Sequence, residues 1–296
     1  VDGVLLIDKP AGPTSHDVVA RLRGTSRERS MGHTGTLDPR ATGLLPLVCG
    51  RATRLASLLS GEDKVYEATI RLGWATDTDD ADGEPLGPPS DVSPTAADVE
   101  RVAAEFRGTF NQKPPTHSAK RLGGHKAYAL ARSAAPVELR AVPVTVKALA
   151  ITGRDGADLQ LRVTASAGFY VRALARDLGA RLGCGGHLVG LRRTRSGSFD
   201  VADAIPLAQA ERLGREVASH LISPAAALQH LPAVQVTPIG LKRAVHGNAL
   251  GPEHLEGRYV PPHGAGGPVR VLDAEGRLVA LAHSRGGALH PAVVLG

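Results

Sequence analysis

Strand-like and helix-like segments alternate along this chain without a regular strand–helix–strand period. That order points to an α+β fold, a mixed sheet decorated by helices, more than to a doubly wound parallel sheet. Val4-Leu5-Leu6-Ile7 reads as a buried strand, and Ser15 is a candidate N-cap for a helix with Val18, Val19 and Leu22 on one face. Arg51 to Leu59 reads as a short helix. Val65 to Leu72 alternates as a half-buried strand does. Ser93-Pro94 is expected to open a helix with Pro at its first position and Gly108 just past its end. Val142 to Thr152 and Leu159 to Ala165 read as paired strands, and Tyr170 to Leu182 as a helix with Val171, Leu174, Leu178 and Leu182 on one stripe.

A break is expected near Leu231-Pro232, dividing a domain over 1–231 from a small one over 232–296. In the second part Thr237-Pro238 starts a helix that should stop at Gly247. A Pro/Gly-rich loop follows from Pro261 to Pro268. Two apolar runs, 269–272 and 278–281, then flank Asp273-Ala274-Glu275-Gly276 as a hairpin. With 42% apolar and 22% charged residues the chain has enough for a core and is not disordered. Its apolar runs are too short for a membrane span, and no secretory signal pattern is present. Cys49 and Cys184 stand too far apart in sequence for a disulfide framework, which fits a reducing cytoplasm.

Charge is segregated. Asp77 to Glu105 holds nine acids and one base, Arg101. Phe106 to Val137 holds no acid but six bases: Arg107, Lys113, Lys120, Arg121, Lys126 and Arg132. That stretch carries as much charge as the whole chain's net +6. Gly123-Gly124 and Pro114-Pro115 make it begin as a loop, and a helix is expected around Tyr128, Leu130 and Ala131. A basic loop of this kind suits a phosphate backbone, and equally reads as a solvated surface.

Several chemistries lack their motifs. The acidic run at Asp77–Gly83 fails as a calcium loop, because Thr78 and Pro89 fall where Asp and Glu are required. Cys184 and His187 have no second ligand pair for zinc, and there is no nucleotide-binding glycine loop. What remains is Met31 to Pro46, with glycines at 32, 35 and 43, prolines at 39 and 46, His33 and a single carboxylate, Asp38. Glycines let a backbone approach a ligand, and Pro39 holds Asp38 extended. A lone carboxylate on a rigid loop can serve as nucleophile or base, or simply close an Asp-Pro turn.

This segment resembles the signature of the TruB family of tRNA pseudouridine synthases, which isomerise uridine 55 in the T loop. Four other segments resemble that family in the same order: Lys9 to Ser15, Lys64 to Asp79, Gly168 to Gly179 and His187 to Thr194. The likeness runs over about residues 3–200. Two positions depart from the pattern, both in the basic stretch: His117 stands where the family has Tyr, and Arg121 where it has Lys.

The resemblance implies a mixed-sheet pseudouridine synthase catalytic domain with a basic RNA-clamping insertion over about 107–137, and a PUA-like RNA-binding domain at the C-terminus. It implies a cytoplasmic, monomeric enzyme that binds the T arm of tRNA and uses no metal or cofactor. Asp38 would be the nucleophile, Arg172 its partner, and Tyr66 the stacking surface for a flipped base. Tyr170 and Leu191 would line the pocket, and His33 would fill the space the nucleotide leaves. Lys9 and Arg121 would bind substrate; Arg192, Arg193 and Arg195 would contact phosphates. The alternative is a non-catalytic RNA-binding or tRNA-chaperoning protein.

Overall fold

The computed structural model describes residues 1–115, 121–122, 125–126, 140–257 and 267–296. The helix expected after Gly124, the loop as far as residue 266 and the side chains of His117, Lys120, Arg121, Lys126 and Arg132 lie outside the described residues.

In chain order the first unit runs β1 (Gly3–Lys9), α1 (Ser15–Ser26), β2 (Met31–His33), β3 (Thr42–Cys49), α2 (Ala56–Ser60), β4 (Lys64–Leu72) and α3 (Ala96–Ala104). It continues with β5 (Gly108–Gln112), β6 (Arg121–Leu122), β7 (His125–Lys126), β8 (Val142–Asp155), β9 (Asp158–Ala165), α4 (Val171–Arg181), β10 (Gly186–Ser196), β11 (Phe199–Asp200), β12 (Ile205–Pro206), α5 (Leu207–Leu213) and α6 (Pro224–Ala227). The main sheet has the order β12-β1-β3-β10-β4-β9-β8-β5, with β2 on β3 and β11 on β10. The β1–β12 and β3–β10 pairs are parallel and the others antiparallel, so the sheet is mixed.

Local sequence explains most boundaries. Thr14, not Ser15, caps α1: its hydroxyl accepts from Asp17 N while Asp17 accepts from Thr14 N, a reciprocal pair that satisfies two orphan donors. Ser15 is buried instead, and its Oγ bonds both N and O of Leu37. The same device, Thr95 with Asp98, starts α3 two residues beyond the expected Pro94. The stretch from Arg51 splits into a 3-10 turn, Gly50–Leu55, and the short α2. Helix α4 buries Val171, Leu174, Ala175 and Leu178 against β4, β9 and the β10 end, as its stripe requires.

The C-terminal sheet, order β14-β13-β15-β16-β17, is built from β13 (Ala233–Val236), β14 (Leu255–Glu256), β15 (Pro268–Leu272), β16 (Leu278–Arg285) and β17 (Ala288–Val294), with α7 (Pro238–Val245) capped by Thr237. Its β15–β16 hairpin falls where the sequence places it. This sheet is not sealed off: Leu278, Leu281 and Leu295 share one core with Val4, Leu6, Leu44, Val48 and Leu55 of the first unit. Among the described residues no helix is long and apolar enough to cross a membrane.

The functional consequence lies in the strand order. β3, β10, β4 and β9 are neighbours, so the loop that enters β3, the middle of β10 and the start of β4 meet. The β3–β10 junction pairs Gly43 with Arg193. Gly43 has φ +97°, and a Cβ there would stand 2.3 Å from the Arg193 carbonyl oxygen. Gly43→Ala is therefore expected to lower folding stability by roughly 2–4 kcal/mol; an unchanged denaturant midpoint would show the junction to be pliable.

Candidate active site

Asp38 sits on the loop between β2 and β3, and several ties hold that loop. Lys9 Nζ donates to the carbonyls of Pro10 (2.9 Å), Pro39 (3.1 Å) and Ala41 (2.7 Å), Gly12 N donates to Pro39 O, and Ser15 Oγ pins Leu37. Lys9 is fully buried. Burial lowers its pKa to about 8, with Asp38 pulling the other way. Its donors are used on the loop, so a part in substrate binding would be played through the shape of that loop.

The Asp38 carboxylate lies 2.9 Å from Arg172 Nε. Arg172 opens α4, is buried, and also gives Nη1 to Thr78 O (3.2 Å) and to the Asp80 carboxylate (3.4 Å). Desolvation raises the Asp38 pKa above its usual value, and Asp80 adds to that; Arg172 and Lys9 oppose it. The carboxylate is still open to the cleft, with 44% of its side chain exposed. Asp38, Arg172 and Leu191 lie in the wall between two cavities, one of about 300 Å³ and one of about 600 Å³.

The smaller cavity contains the expected tyrosines. Tyr66 comes from β4, beside Arg193 in register, and Tyr170 is the residue before α4. The Tyr170 peptide is held by Gln112, whose buried amide donates to Tyr170 O (3.0 Å) and accepts from Tyr170 N (2.9 Å). Nothing local in the sequence marks Gln112, because its partner is 58 residues away. The larger cavity adds Thr14, His16, Arg40, Asp80 and Asp82, with Arg40 ion-paired to Asp82.

The acidic run, which fails as a calcium loop, has another use. Asp80 faces Arg172, and Asp79, in a left-handed conformation at φ +63°, accepts from Arg176 Nη1 at 2.8 Å. The loop thereby fixes two arginines of α4 that sequence reasoning left without acidic partners there. Its own shape is held by Thr76 Oγ1 and Thr78 Oγ1 donating to Asp80 and by backbone bonds to Leu188.

The remaining residues separate by burial. His33 lines neither cavity; its ring packs edge-on to His16, 5.1 Å between centroids. Burial, with His16 and Arg193 nearby, lowers its pKa to about 4, so it is neutral at pH 7. Arg192 is engaged in a two-point bond with Asp8 (3.0 and 2.8 Å), and Arg195 lies 3.5 Å from Asp200. Arg193 is 1% exposed and donates Nε to Leu44 O (2.7 Å) and Nη2 to Gly35 O (3.0 Å). A phosphate outside cannot reach it, which corrects the expected backbone contact; it lines the smaller cavity instead. Beside it lies Lys64, a buried cation that the sequence did not single out.

Comparison with known proteins follows the same lines. The model of the TruB family pseudouridylate synthase N-terminal domain matches residues 23–171, and that of the tRNA pseudouridylate synthase B C-terminal domain matches residues 172–228. The tRNA pseudouridine synthase B of Thermobifida fusca is 45% identical over 99% of this chain and 98% of its own length. That of Aromatoleum aromaticum is 43% identical over 98% and 92%. Among solved structures, an archaeal box H/ACA sRNP Nop10–Cbf5 complex contains a chain with 26% identity and a TM-score of 0.74, covering 99% of this chain and 86% of that one. A Cbf5–Nop10–Gar1 complex gives 27% identity and a TM-score of 0.75, covering 99% and 85%.

Proposed function

The chain belongs to the TruB family of pseudouridine synthases, and from that premise we propose that it converts uridine 55 in the T loop of tRNA to pseudouridine. The observation that carries the reading is the Asp38–Arg172 pair at the cavity wall, with Tyr66 and Tyr170 in the adjoining cavity. The reaction breaks the N1–C1′ bond, turns the base and joins C5 to C1′. Asp38 starts it as a carboxylate, by attack on C6 or C1′ or by taking a proton from the sugar. Arg172 favours the ionised form and fixes its direction.

The target base leaves its loop at a cost of a few kcal/mol, and stacking on Tyr66, at roughly 1–3 kcal/mol, offsets part of it. The Tyr66 hydroxyl helps to remove the C5 proton. Tyr66→Phe is expected to slow turnover at least about tenfold while tRNA affinity is kept. A fully active variant removes that role.

The basic stretch over 107–137 grips the RNA, and the sheet over 232–296 serves as a PUA-like second contact. The protein acts as a monomer in the cytoplasm. Changing Lys120, Arg121 and Lys126 together to Glu should weaken tRNA binding at least about tenfold at moderate salt, and flatten its salt dependence, with no change in thermal midpoint. Unchanged affinity would make the stretch a solvated surface.

The test of the reaction is tritium release from C5-labelled uridine in an unmodified tRNA transcript. Release equal to one uridine per tRNA, absent when uridine 55 is replaced by cytidine, is the expected result. Binding without release would favour the non-catalytic reading.

A further inference from the structure

The smaller cavity holds two cations that the steps above do not use. Lys64 is 5% exposed and Arg193 1%. Lys64 Nζ donates to the carbonyls of Ser60 and Glu62, both at 2.6 Å, and Arg193 uses Nε and Nη2 on carbonyls too. Neither side chain makes an ion pair among the described residues. Arg193 Nη1 makes no hydrogen bond among them either, and it faces the space over Gly35. A Cβ at Gly35 would stand 3.3 Å from that Nη1 and 3.9 Å from Lys64 Cε. The Arg193 guanidinium and the end of the Lys64 stem thus meet over Gly35, with the Lys64 ammonium turned to the Ser60 and Glu62 carbonyls, and the glycine of the signature loop leaves the space over it open. Lys64 lies two residues before Tyr66 on β4, hence on the same face, and Arg193 is the cross-strand neighbour of Tyr66.

The Glu62 and Asp63 carboxylates lie near enough to favour the charged Lys64, but burial and Arg193 outweigh them, so an anion joining these two cations would relieve the cost of keeping them charged. The cavity of about 300 Å³ is roomy enough for a pyrimidine ring, and Asp38, Tyr66 and Tyr170 line it together with the two cations, so the base is the part of the substrate that would lie beside them. Uracil is neutral when it arrives. Resting on the isomerisation reading above, we propose that Lys64 and Arg193 hold the carbonyl oxygens of the target uracil and stabilise the negative charge that develops on them during the reaction.

The electron count gives that charge by any route. If Asp38 adds to C6, the C5=C6 pair shifts to C4–C5 and the C4=O4 pair moves onto O4 as an enolate. If the N1–C1′ bond breaks first, its electron pair leaves with the base, and the charge spreads over N1, O2 and O4. C1′ is then taken by the Asp38 oxygen, or the sugar loses a proton to it. When C5 bonds to C1′, the bond from the Asp38 oxygen to C6 or C1′ breaks, or Asp38 returns its proton to the sugar. The ring is then neutral with a hydrogen still on C5, and loss of that proton from C5 with gain of one at N1 completes the product. Donors placed in advance where charge appears act on the transition state more than on the bound substrate.

The test uses Lys64→Gln, which can still donate to Ser60 O or Glu62 O, and Lys64→Met, each on unmodified tRNA. Expected is a single-turnover rate lower by about 100-fold or more, with tRNA Kd within about threefold of wild type. A near-normal rate, or a loss carried wholly by Kd, overturns the assignment. A second measurement needs no variant: the wild-type protein should bind 5-nitrouracil, an anion at neutral pH, at least about tenfold more tightly than uracil. No preference for the anion also overturns it. A wild type that forms no pseudouridine would overturn the functional reading itself, a separate outcome.

Discussion

Asp38→Asn yields a protein that binds tRNA with near wild-type affinity and makes no pseudouridine. Asn has the shape of Asp and keeps an oxygen for Arg172 Nε, now 2.9 Å from the carboxylate. It lacks the charge, and an amide is neither a nucleophile nor a base at neutral pH. Turnover should fall by roughly 10⁴-fold or more. The fold should persist, because desolvation already disfavours the charged carboxylate at this position. Tritium release and filter binding on the same preparations check both halves. An Asn variant within tenfold of wild type would move the chemistry to another residue.

Arg172→Met should cost about 10²–10³-fold in rate at neutral pH and change the pH profile. The Asp38 pKa is already raised from its ordinary value by burial, so activity is lost as pH falls through that raised value. Arg172 is the largest influence holding it down. Without it, Lys9 is left to oppose both desolvation and Asp80, and the acid limb moves to higher pH. The deficit should therefore be larger in acid than in mild alkali. An acid limb in the same place would show that Arg172 acts on something other than the ionisation of Asp38.

Sequence and structure agree where a local rule decides, and part company where charge meets burial. The strands from Val4 and Val65, the α4 stripe and the β15–β16 hairpin follow from periodicity and turn residues. The loop with Asp38 is legible because glycine and proline announce it. Lys9 and Arg193 look like surface cations in the sequence, which shows a charge but not its depth; both are buried and bonded to carbonyls. Gln112, Asp79, Asp80 and Lys64 are missed because what gives each its meaning is assembled by strand order: Tyr170, Arg176, Arg172 and the cavity. Ser15 misleads by one position, since Thr14 has the acidic partner three residues on.

Leu44 belongs to two assemblies at once. Its side chain lies in the core that Leu278, Leu281 and Leu295 bring from the C-terminal sheet, while its carbonyl holds Arg193 Nε at 2.7 Å. A single residue thus joins the far sheet to a cation beside the reacting base. The C-terminal sheet is then no detachable handle but part of the enzyme's machinery of fit. Removing the sheet would strip apolar cover from the core that holds Leu44, and so loosen the strand whose carbonyl anchors Arg193.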